Sequence, residues 1–216
     1  MRDQKRTNCP ISFTALAVML LLVCSTSMAW AQKAKILVFS KTAGYHHNSI
    51  AAGIVALQKL GAENKFDVDT TTDYKKFTKE NLKQYATVVF LSPTGRGVFK
   101  DSVNKDAFKE YIHNGGGFLG IHSATDFGYD WAWYGQLVGG YFLGHPQKNV
   151  QTATLHVVDK KNAATKTLPE TWIRADEYYS FKPGSNPADL KVLIKLDVLN
   201  FVFLVVLLRK WRVTLD

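Results

Sequence analysis

The sequence predicts an α/β fold built around a mostly parallel sheet. Short apolar runs alternate with segments in which apolar residues recur at helical spacing, and glycine-containing turns separate them. Strands that alternate with helices of this length are joined by right-handed crossovers, which makes neighbouring strands parallel. We therefore expect a flavodoxin-like three-layer sandwich.

The first predicted elements are a strand, a helix and a second strand. Residues 35–40 form a continuous apolar run, and 47–60 carry apolar residues at helical spacing. Gly61 stands where a glycine often ends a helix, and 66–70 alternates between polar and apolar residues like a peripheral strand.

Two further βα units are predicted downstream. Thr78 is a suitable N-cap for a short helix, and 86–91 is apolar enough for a strand covered on both faces. Residues 104–113 have one apolar side and predict a helix that ends at Gly115. The run 117–121 is then the fourth strand, which we expect to be buried.

Beyond residue 134 the pattern changes to short strands. They are predicted at 150–158, 177–181 and 191–196, with a turn rich in proline and glycine at 183–187.

The predicted strand order places three loops together. In the common order 2-1-3-4-5, strands one, three and four are neighbours. The loops after Ser40, Leu91 and Ile121 therefore open into one crevice at the carboxyl ends of the strands, where open α/β sheets bind ligands.

The N-terminal residues 1–31 are expected to be a secretory signal peptide, because basic residues precede an apolar run and the small residues Ala29 and Ala31 come just before Gln32. The apolar run is shorter than the ~20 residues that a membrane-spanning helix requires. We expect cleavage after Ala31, no stable membrane insertion, and a domain at 32–197 that is periplasmic or secreted. An uncleaved anchor and a lipoprotein acylated at Cys24 are the alternatives.

Composition excludes two classes of function. Cys9 and Cys24 are the chain's two cysteines and both precede the expected cleavage site, so neither a disulfide nor a thiol nucleophile remains. The net charge is +9, but the lysines are scattered and not grouped with aromatic residues. We expect no nucleic-acid partner, and the sequence leaves open a homo-oligomer.

His122 is the first candidate for chemistry, because it directly follows the fourth predicted strand. Ser123, Thr125 and Asp126 supply polar partners of the kind that a buried imidazole needs. Asp126 is expected to orient His122, with a local Asx turn as the alternative.

The other two loops supply further candidates. Tyr45 and His46 stand at a helix N-terminus, which favours polar ligands, although one of the adjacent histidines could simply cap the helix. Thr94 and Arg96 follow the third strand. Arg96 could clamp a carboxylate or sugar hydroxyls, and a solvated arginine on a mobile loop is the alternative.

The remaining candidates come from the second half of the chain. Tyr134 belongs to an aromatic-rich segment that could stack on a sugar and could equally be core. His145 and the neighbours Glu177 and Tyr178 add acid/base groups. A salt bridge to an arginine is the alternative for Glu177.

A metal centre is not expected from the sequence. His46, His122, His145 and Glu177 carry side chains that ligate metals, but no HxxxH or HxH spacing supports such a site. We therefore expect neither a metal nor another cofactor.

Four motifs together resemble the trehalose-utilisation (ThuA-like) family: Gly-Tyr-His-His at 44–47, Gly-Ile-His-Ser-Ala-Thr-Asp at 120–126, Gly-Gly-Tyr-Phe-x-Gly-His-Pro at 139–146, and Asp-Glu-Tyr-Tyr-x-Phe at 176–181. The resemblance extends from 35 to 197. It implies the class I glutamine amidotransferase-like fold, in which a nucleophilic cysteine follows a sheet strand.

His122 occupies the place of that cysteine, which excludes thiolate-dependent amidotransfer. The family further implies utilisation of trehalose, a related disaccharide or a 3-keto-glycoside, with a small carbohydrate as the partner. We expect acid/base chemistry of a glycoside hydrolase or sugar isomerase, catalysed by His122 and Glu177. The residues expected to bind the sugar are Tyr45, His46, Thr94, Arg96, Asp126, Tyr134, His145 and Tyr178.

Two alternatives to an enzyme remain. The first is a non-catalytic sugar-binding or scaffolding protein. The second follows from residues 198–216, which are largely apolar where the family continues with polar segments. We expect this tail to be aberrant, through a frameshift or truncation, and the product could then be inactive.

Overall fold

The computed structural model describes residues 33–145, 149–183 and 190–197, together with the backbone at 203–204 and 207–208. The expected signal peptide at 1–31, most of the apolar tail and most of the predicted turn at 183–187 lie outside the described residues.

A parallel sheet of four strands carries the first half of the described chain. The strands are β1 (Lys35–Phe39), β2 (Asp67–Thr71), β3 (Thr87–Leu91) and β4 (Gly117–Ile121), in the order β2-β1-β3-β4. The predicted fold class is therefore confirmed, with β1, β3 and β4 adjacent as expected.

Helices cover both faces of this sheet. Their bounds are α1 (Ser49–Asn64), α2 (Lys79–Leu82), α3 (Ser102–His113) and α4 (Ala132–Val138). Successive residues of β3 point to opposite faces, so that Val89 packs with α1 and Phe90 stacks on Phe108 of α3. The chain thus forms the three layers that the sequence predicts.

The larger core lies on the face that α3 and α4 cover. Its fully buried side chains include the aromatic residues Phe39, Phe77, Phe90, Phe108, Phe127 and Tyr134. Burying each such ring stabilises the fold by roughly 1.5–3 kcal/mol. This aromatic core therefore stabilises the sheet that carries the loops after β1, β3 and β4.

Strand β4 differs from the expected buried strand. Leu119 is 43% exposed, because β4 is the last strand of the parallel sheet in the described part of the chain.

Two predicted helix ends are confirmed and one is wrong. Thr78 Oγ1 accepts a hydrogen bond from Asn81 N at 3.2 Å, and Gly115 follows α3 with φ 93°. Gly61, by contrast, lies inside α1, and the left-handed cap is Lys65 with φ 60°. Gly61 is required because a Cβ there would lie 2.7 Å from the Phe66 carbonyl oxygen.

The second half of the described chain forms antiparallel pairs. The strands β6 (Gln151–Val157), β7 (Thr171–Asp176), β10 (Ile194–Asp197) and β11 (Phe203–Leu204) form a sheet in the order β11-β10-β6-β7. Two shorter pairs join β5 (Phe142–Gly144) to β8 (Ser180–Phe181) and β9 (Lys191–Val192) to β12 (Leu207–Leu208).

The sequence did not predict α4, β5 or β7. Helix α4 contains Gly135, β5 has three residues, and most side chains of β7 are exposed, so periodicity is weak in all three. Within the described residues, no helix has the length and apolar character that crossing a bilayer requires.

Replacing Gly61 with alanine should destabilise the protein by about 1–3 kcal/mol, because the added methyl group meets backbone that cannot move without separating α1 from β2. Urea unfolding measures this change. The matched control is Gly53→Ala in the same helix, where the new Cβ meets only the flexible end of Leu91. We expect that variant to lie within about 1 kcal/mol of the parent. Equal stability of the two variants would contradict this account of Gly61.

Candidate functional site

The loops after β1, β3 and β4 lie side by side at the carboxyl ends of their strands. Thr42 and Thr94 form an isolated parallel bridge, and Ala43 N donates to Thr94 O at 2.8 Å. Gly95 N donates to Asp126 O, also at 2.8 Å. Backbone hydrogen bonds therefore join the three loops into one crevice.

His122 begins a tight turn at the end of β4. Its φ is 50°, a left-handed conformation that costs a residue with a side chain roughly 1–2 kcal/mol. Tyr134 Oη donates a hydrogen bond to Ala124 O at 2.7 Å and so supports the turn from the core. Strain of this kind is common where a side chain must be held in a functional position.

Glu177 reaches the crevice from the other half of the chain. It directly follows β7, and the pairing of β5 with β8 holds the segment that contains it. Glu177 Oε2 lies 3.0 Å from His122 Nε2 and 3.7 Å from His47 Nε2, and its Oε1 lies 3.6 Å from His145 Nε2. We call these four residues the histidine–carboxylate cluster.

The cluster is partly buried and remains open to solvent. The side chains of His47 and Glu177 are 12% and 21% exposed, whereas those of His122 and His145 are 25% and 32% exposed. A small polar ligand can therefore reach its edge, while the carboxylate depends on protein partners for much of its solvation.

His47 is held in the least exposed position of the cluster. Its Nδ1 lies 3.3 Å from the hydroxyl of the fully buried Ser123, which leaves Nε2 facing Glu177. Burial, followed by the neighbouring His122, lowers the pKa of His47 despite the opposing effect of Glu177. Its imidazole is accordingly neutral at neutral pH.

Tyr179 completes the surroundings of His122. Its hydroxyl lies 3.1 Å from His122 Nε2, and its ring packs 4.7 Å from that imidazole and 4.3 Å from Phe142. Burial raises the pKa of Tyr179, and the carboxylate of Glu177 acts in the same direction. The phenol therefore stays protonated at neutral pH and can donate a hydrogen bond.

Three side chains reach one possible metal position. A nitrogen of His47, a nitrogen of His122 and a carboxylate oxygen of Glu177 all lie within 4.8 Å of one another. From the sequence, His122 and Glu177 were considered as possible ligands, but a metal site was set aside for want of motif spacing. Motifs such as HxxxH detect ligands on one element, whereas these three belong to separate segments.

Comparison with known proteins places the chain in a family. Residues 35–202 match the family described as trehalose utilisation, ThuA. The chain belongs to the ThuA family. Its structure resembles a ThuA-like protein from Bacteroides uniformis ATCC 8492 with a TM-score of 0.67 and 28% identity, covering 83% of this chain and 79% of that one. Comparison with curated proteins gave no match.

A second crystal structure shows the same fold at lower identity. It is a ThuA-like protein from Parabacteroides merdae ATCC 43184, with a TM-score of 0.58 and 19% identity, and the match covers 76% of this chain and 68% of that one.

The sequence did not identify His47 or Tyr179 as site residues of this ThuA domain, and Ser123, expected as a partner of His122, lies against His47 instead. The sequence reasoning chose His46, which is exposed and whose Nδ1 lies 3.3 Å from Thr42 Oγ1. It also chose Tyr178 rather than Tyr179. Alternation in an extended segment places residues 177 and 179 on one side, and that signal favours Tyr179.

Thr94, in the loop after β3, holds the loop after β1 that carries Tyr45 and His47. Thr94 is fully buried, and its hydroxyl donates to Tyr45 O at 2.8 Å and accepts from Gly44 N at 3.3 Å. The Tyr45 side chain is 69% exposed, with its ring 4.9 Å from that of His47. Thr94 thus positions the loop, whereas Tyr45 is accessible at the edge of the crevice.

Asp126 and Arg96 meet at Tyr129. The Asp126 carboxylate, which was expected to orient His122, accepts a hydrogen bond from Tyr129 Oη at 2.5 Å. The guanidinium of Arg96 lies 4.7 Å from the centre of the same ring, and Lys182 Nζ lies 4.4 Å from it. Burial, with a further contribution from Asp126, raises the pKa of Tyr129. Two cations and one carboxylate therefore converge on this tyrosine.

The hydroxyls of Tyr134 and Tyr178 donate hydrogen bonds to backbone carbonyls. Tyr134 is fully buried among the aromatic rings of the core, where Phe90 stacks on it at 5.5 Å, so its ring does not line the crevice. Tyr178 Oη donates to Arg174 O at 2.8 Å, and its ring packs against the apolar cluster of Leu155, Leu193, Ile194 and Leu196. Arg174 itself pairs with Asp176, so the salt bridge considered for Glu177 forms one residue earlier.

Thr94→Val should lower the free energy of unfolding by about 1–3 kcal/mol, because the isosteric valine leaves the Tyr45 carbonyl and the Gly44 amide without their buried partner. Chemical denaturation measures the change. Thr152→Val on the exposed side of β6 is the matched control, expected to stay within about 0.5 kcal/mol of the parent. If both variants unfold at the same denaturant concentration, the Thr94 hydroxyl does not hold this loop.

Proposed function

We propose that this ThuA-family protein acts on a carbohydrate of the trehalose or 3-keto-glycoside class. The reaction is proton transfer at a sugar carbon or glycosidic oxygen, in the periplasm or outside the cell. One observation carries the proposal: the Glu177 carboxylate lies 3.0 Å from His122 Nε2 at the solvent-accessible edge of the crevice. A carboxylate and an imidazole in contact supply one group that accepts a proton and one that donates it.

The roles of the two groups follow from their surroundings. Glu177 faces three imidazoles. A proton that its carboxylate takes from the substrate can pass on to one of these rings. The Asp126 carboxylate accepts a hydrogen bond from Tyr129, whereas the Glu177 carboxylate lies against His122. This arrangement differs from the pair of carboxylates that most glycoside hydrolases use. It favours proton abstraction next to a sugar carbonyl, which a 3-keto-glycoside contains.

Recognition of the sugar is assigned to side chains at the edge of the crevice. The exposed ring of Tyr45 supplies a surface on which a sugar face can pack. His145 and the exposed Arg96 supply nitrogen donors for hydroxyl groups. This division leaves the less exposed His122 and Glu177 for the chemistry.

His122→Asn and Glu177→Gln should each lower kcat/KM on a responsive sugar by about 100-fold or more, because each removes one partner of the proton transfer. Asparagine tolerates the left-handed backbone at 122, so the fold should survive. Trehalose, 3-keto-trehalose and related disaccharides form the substrate panel, and calorimetry measures binding of the same sugars.

The matched control for these variants is His156→Asn, a histidine on the exposed side of β6. It should retain the parent's kcat/KM. Turnover that survives in both His122→Asn and Glu177→Gln would refute the proposed roles. Binding of a sugar by the parent without any turnover would instead identify a non-catalytic sugar-binding protein.

A further inference from the structure

We propose that the histidine–carboxylate cluster binds one divalent transition-metal ion, with zinc as the best fit, through His47, His122 and Glu177. The proposal goes beyond the proposed function, because binding of an ion at these atoms does not require that a sugar be turned over. It rests on the positions and chemistry of three side chains and on the contacts that orient them.

The distances between the donor atoms suit a single ion. Two atoms that each lie ~2.1 Å from a tetrahedral zinc ion are about 3.4 Å from each other. Glu177 Oε2 lies 3.0 Å from His122 Nε2 and 3.7 Å from His47 Nε2, which brackets that spacing. All three donor atoms lie within 4.8 Å of one another, so small side-chain rotations suffice to coordinate an ion.

The chemistry of the donors selects the class of metal. Two imidazole nitrogens and one carboxylate oxygen form the His₂Glu set found in catalytic zinc sites, where the fourth position stays open for water or substrate. Magnesium and calcium prefer ligand sets made of oxygen, whereas imidazole favours zinc and neighbouring first-row metals. An open position at the edge of the crevice would face the incoming ligand.

Neighbouring residues hold the ligands in a suitable orientation. The hydroxyl of Ser123, itself fully buried, lies 3.3 Å from His47 Nδ1 and so directs Nε2 towards the cluster. A histidine that ligates a metal through one nitrogen commonly has its other nitrogen bound in this way. His122 is held by the turn that Tyr134 supports, and Glu177 by the strand pair β5–β8.

His145 has a different relation to the carboxylate. Its Nε2 approaches Glu177 Oε1, whereas His47 and His122 approach Oε2. We therefore assign His145 the role of orienting the carboxylate or of contacting the bound ligand. It is left out of the three-residue metal set.

The test is a metal titration of the full chain, freed of any affinity tag and treated with a chelator. Cobalt is the first probe because its visible absorption reports tetrahedral coordination by nitrogen and oxygen, and zinc is then measured by displacement of cobalt. We expect one equivalent per chain. His47→Asn and Glu177→Gln should weaken binding by at least about 100-fold, and Ser123→Ala by about tenfold.

The matched control is His46→Asn, which removes the adjacent exposed histidine and should leave cobalt affinity unchanged. Far-ultraviolet circular dichroism confirms that each variant is folded. Failure to bind cobalt or zinc stoichiometrically would overturn the proposal, and so would binding that His47→Asn and Glu177→Gln do not weaken. A sugar assay on the same samples separates the two proposals: stoichiometric, cluster-dependent zinc binding without turnover supports the metal site and contradicts only the enzymatic function.

Discussion

One carboxylate organises the candidate site. Glu177 is largely removed from water, and three imidazoles surround it at 3.0, 3.6 and 3.7 Å. A charge in such a position is costly unless its partners are held in place. The partners come from the loop after β1, the turn after β4 and the end of β5, so the geometry of the site depends on the relative placement of three separate segments.

The core supplies that placement. Backbone hydrogen bonds join the loops after β1, β3 and β4, and the buried hydroxyls of Thr94, Ser123 and Tyr134 each hold a loop or ring close to the cluster. His122 remains in a left-handed conformation, which the aromatic packing beneath it must offset. An unfavourable backbone conformation of this kind is expected where the position of a side chain matters more than the conformational energy of its residue.

The sequence predicted the parts of the fold and site that depend on local patterning. Apolar runs located β1, β3 and β4, alternation of polar and apolar residues located β2, and the polar residues after β4 led to His122. Glu177 and His145 were also identified as acid/base candidates. Adjacent residues of the same type could not be told apart. Composition cannot show which of His46 and His47 turns inward, because the position at which the helix starts decides it. Gly61 was misassigned for a similar reason, because its role is a close contact with Phe66 and only the packed structure reveals it.

The hydrogen atoms around His122 connect the acid/base and metal proposals. Its Nε2 faces both Glu177 Oε2 at 3.0 Å and Tyr179 Oη at 3.1 Å, yet this nitrogen offers either one hydrogen or one lone pair. If it carries the hydrogen, it donates to Glu177 and the phenol must donate elsewhere. If it does not, its lone pair can accept from the phenol, and Glu177 then receives no hydrogen bond from this nitrogen. Proton transfer between His122 and Glu177 uses the hydrogen on this nitrogen, whereas coordination of a metal ion would use its lone pair, so the two proposals place different occupants on one atom.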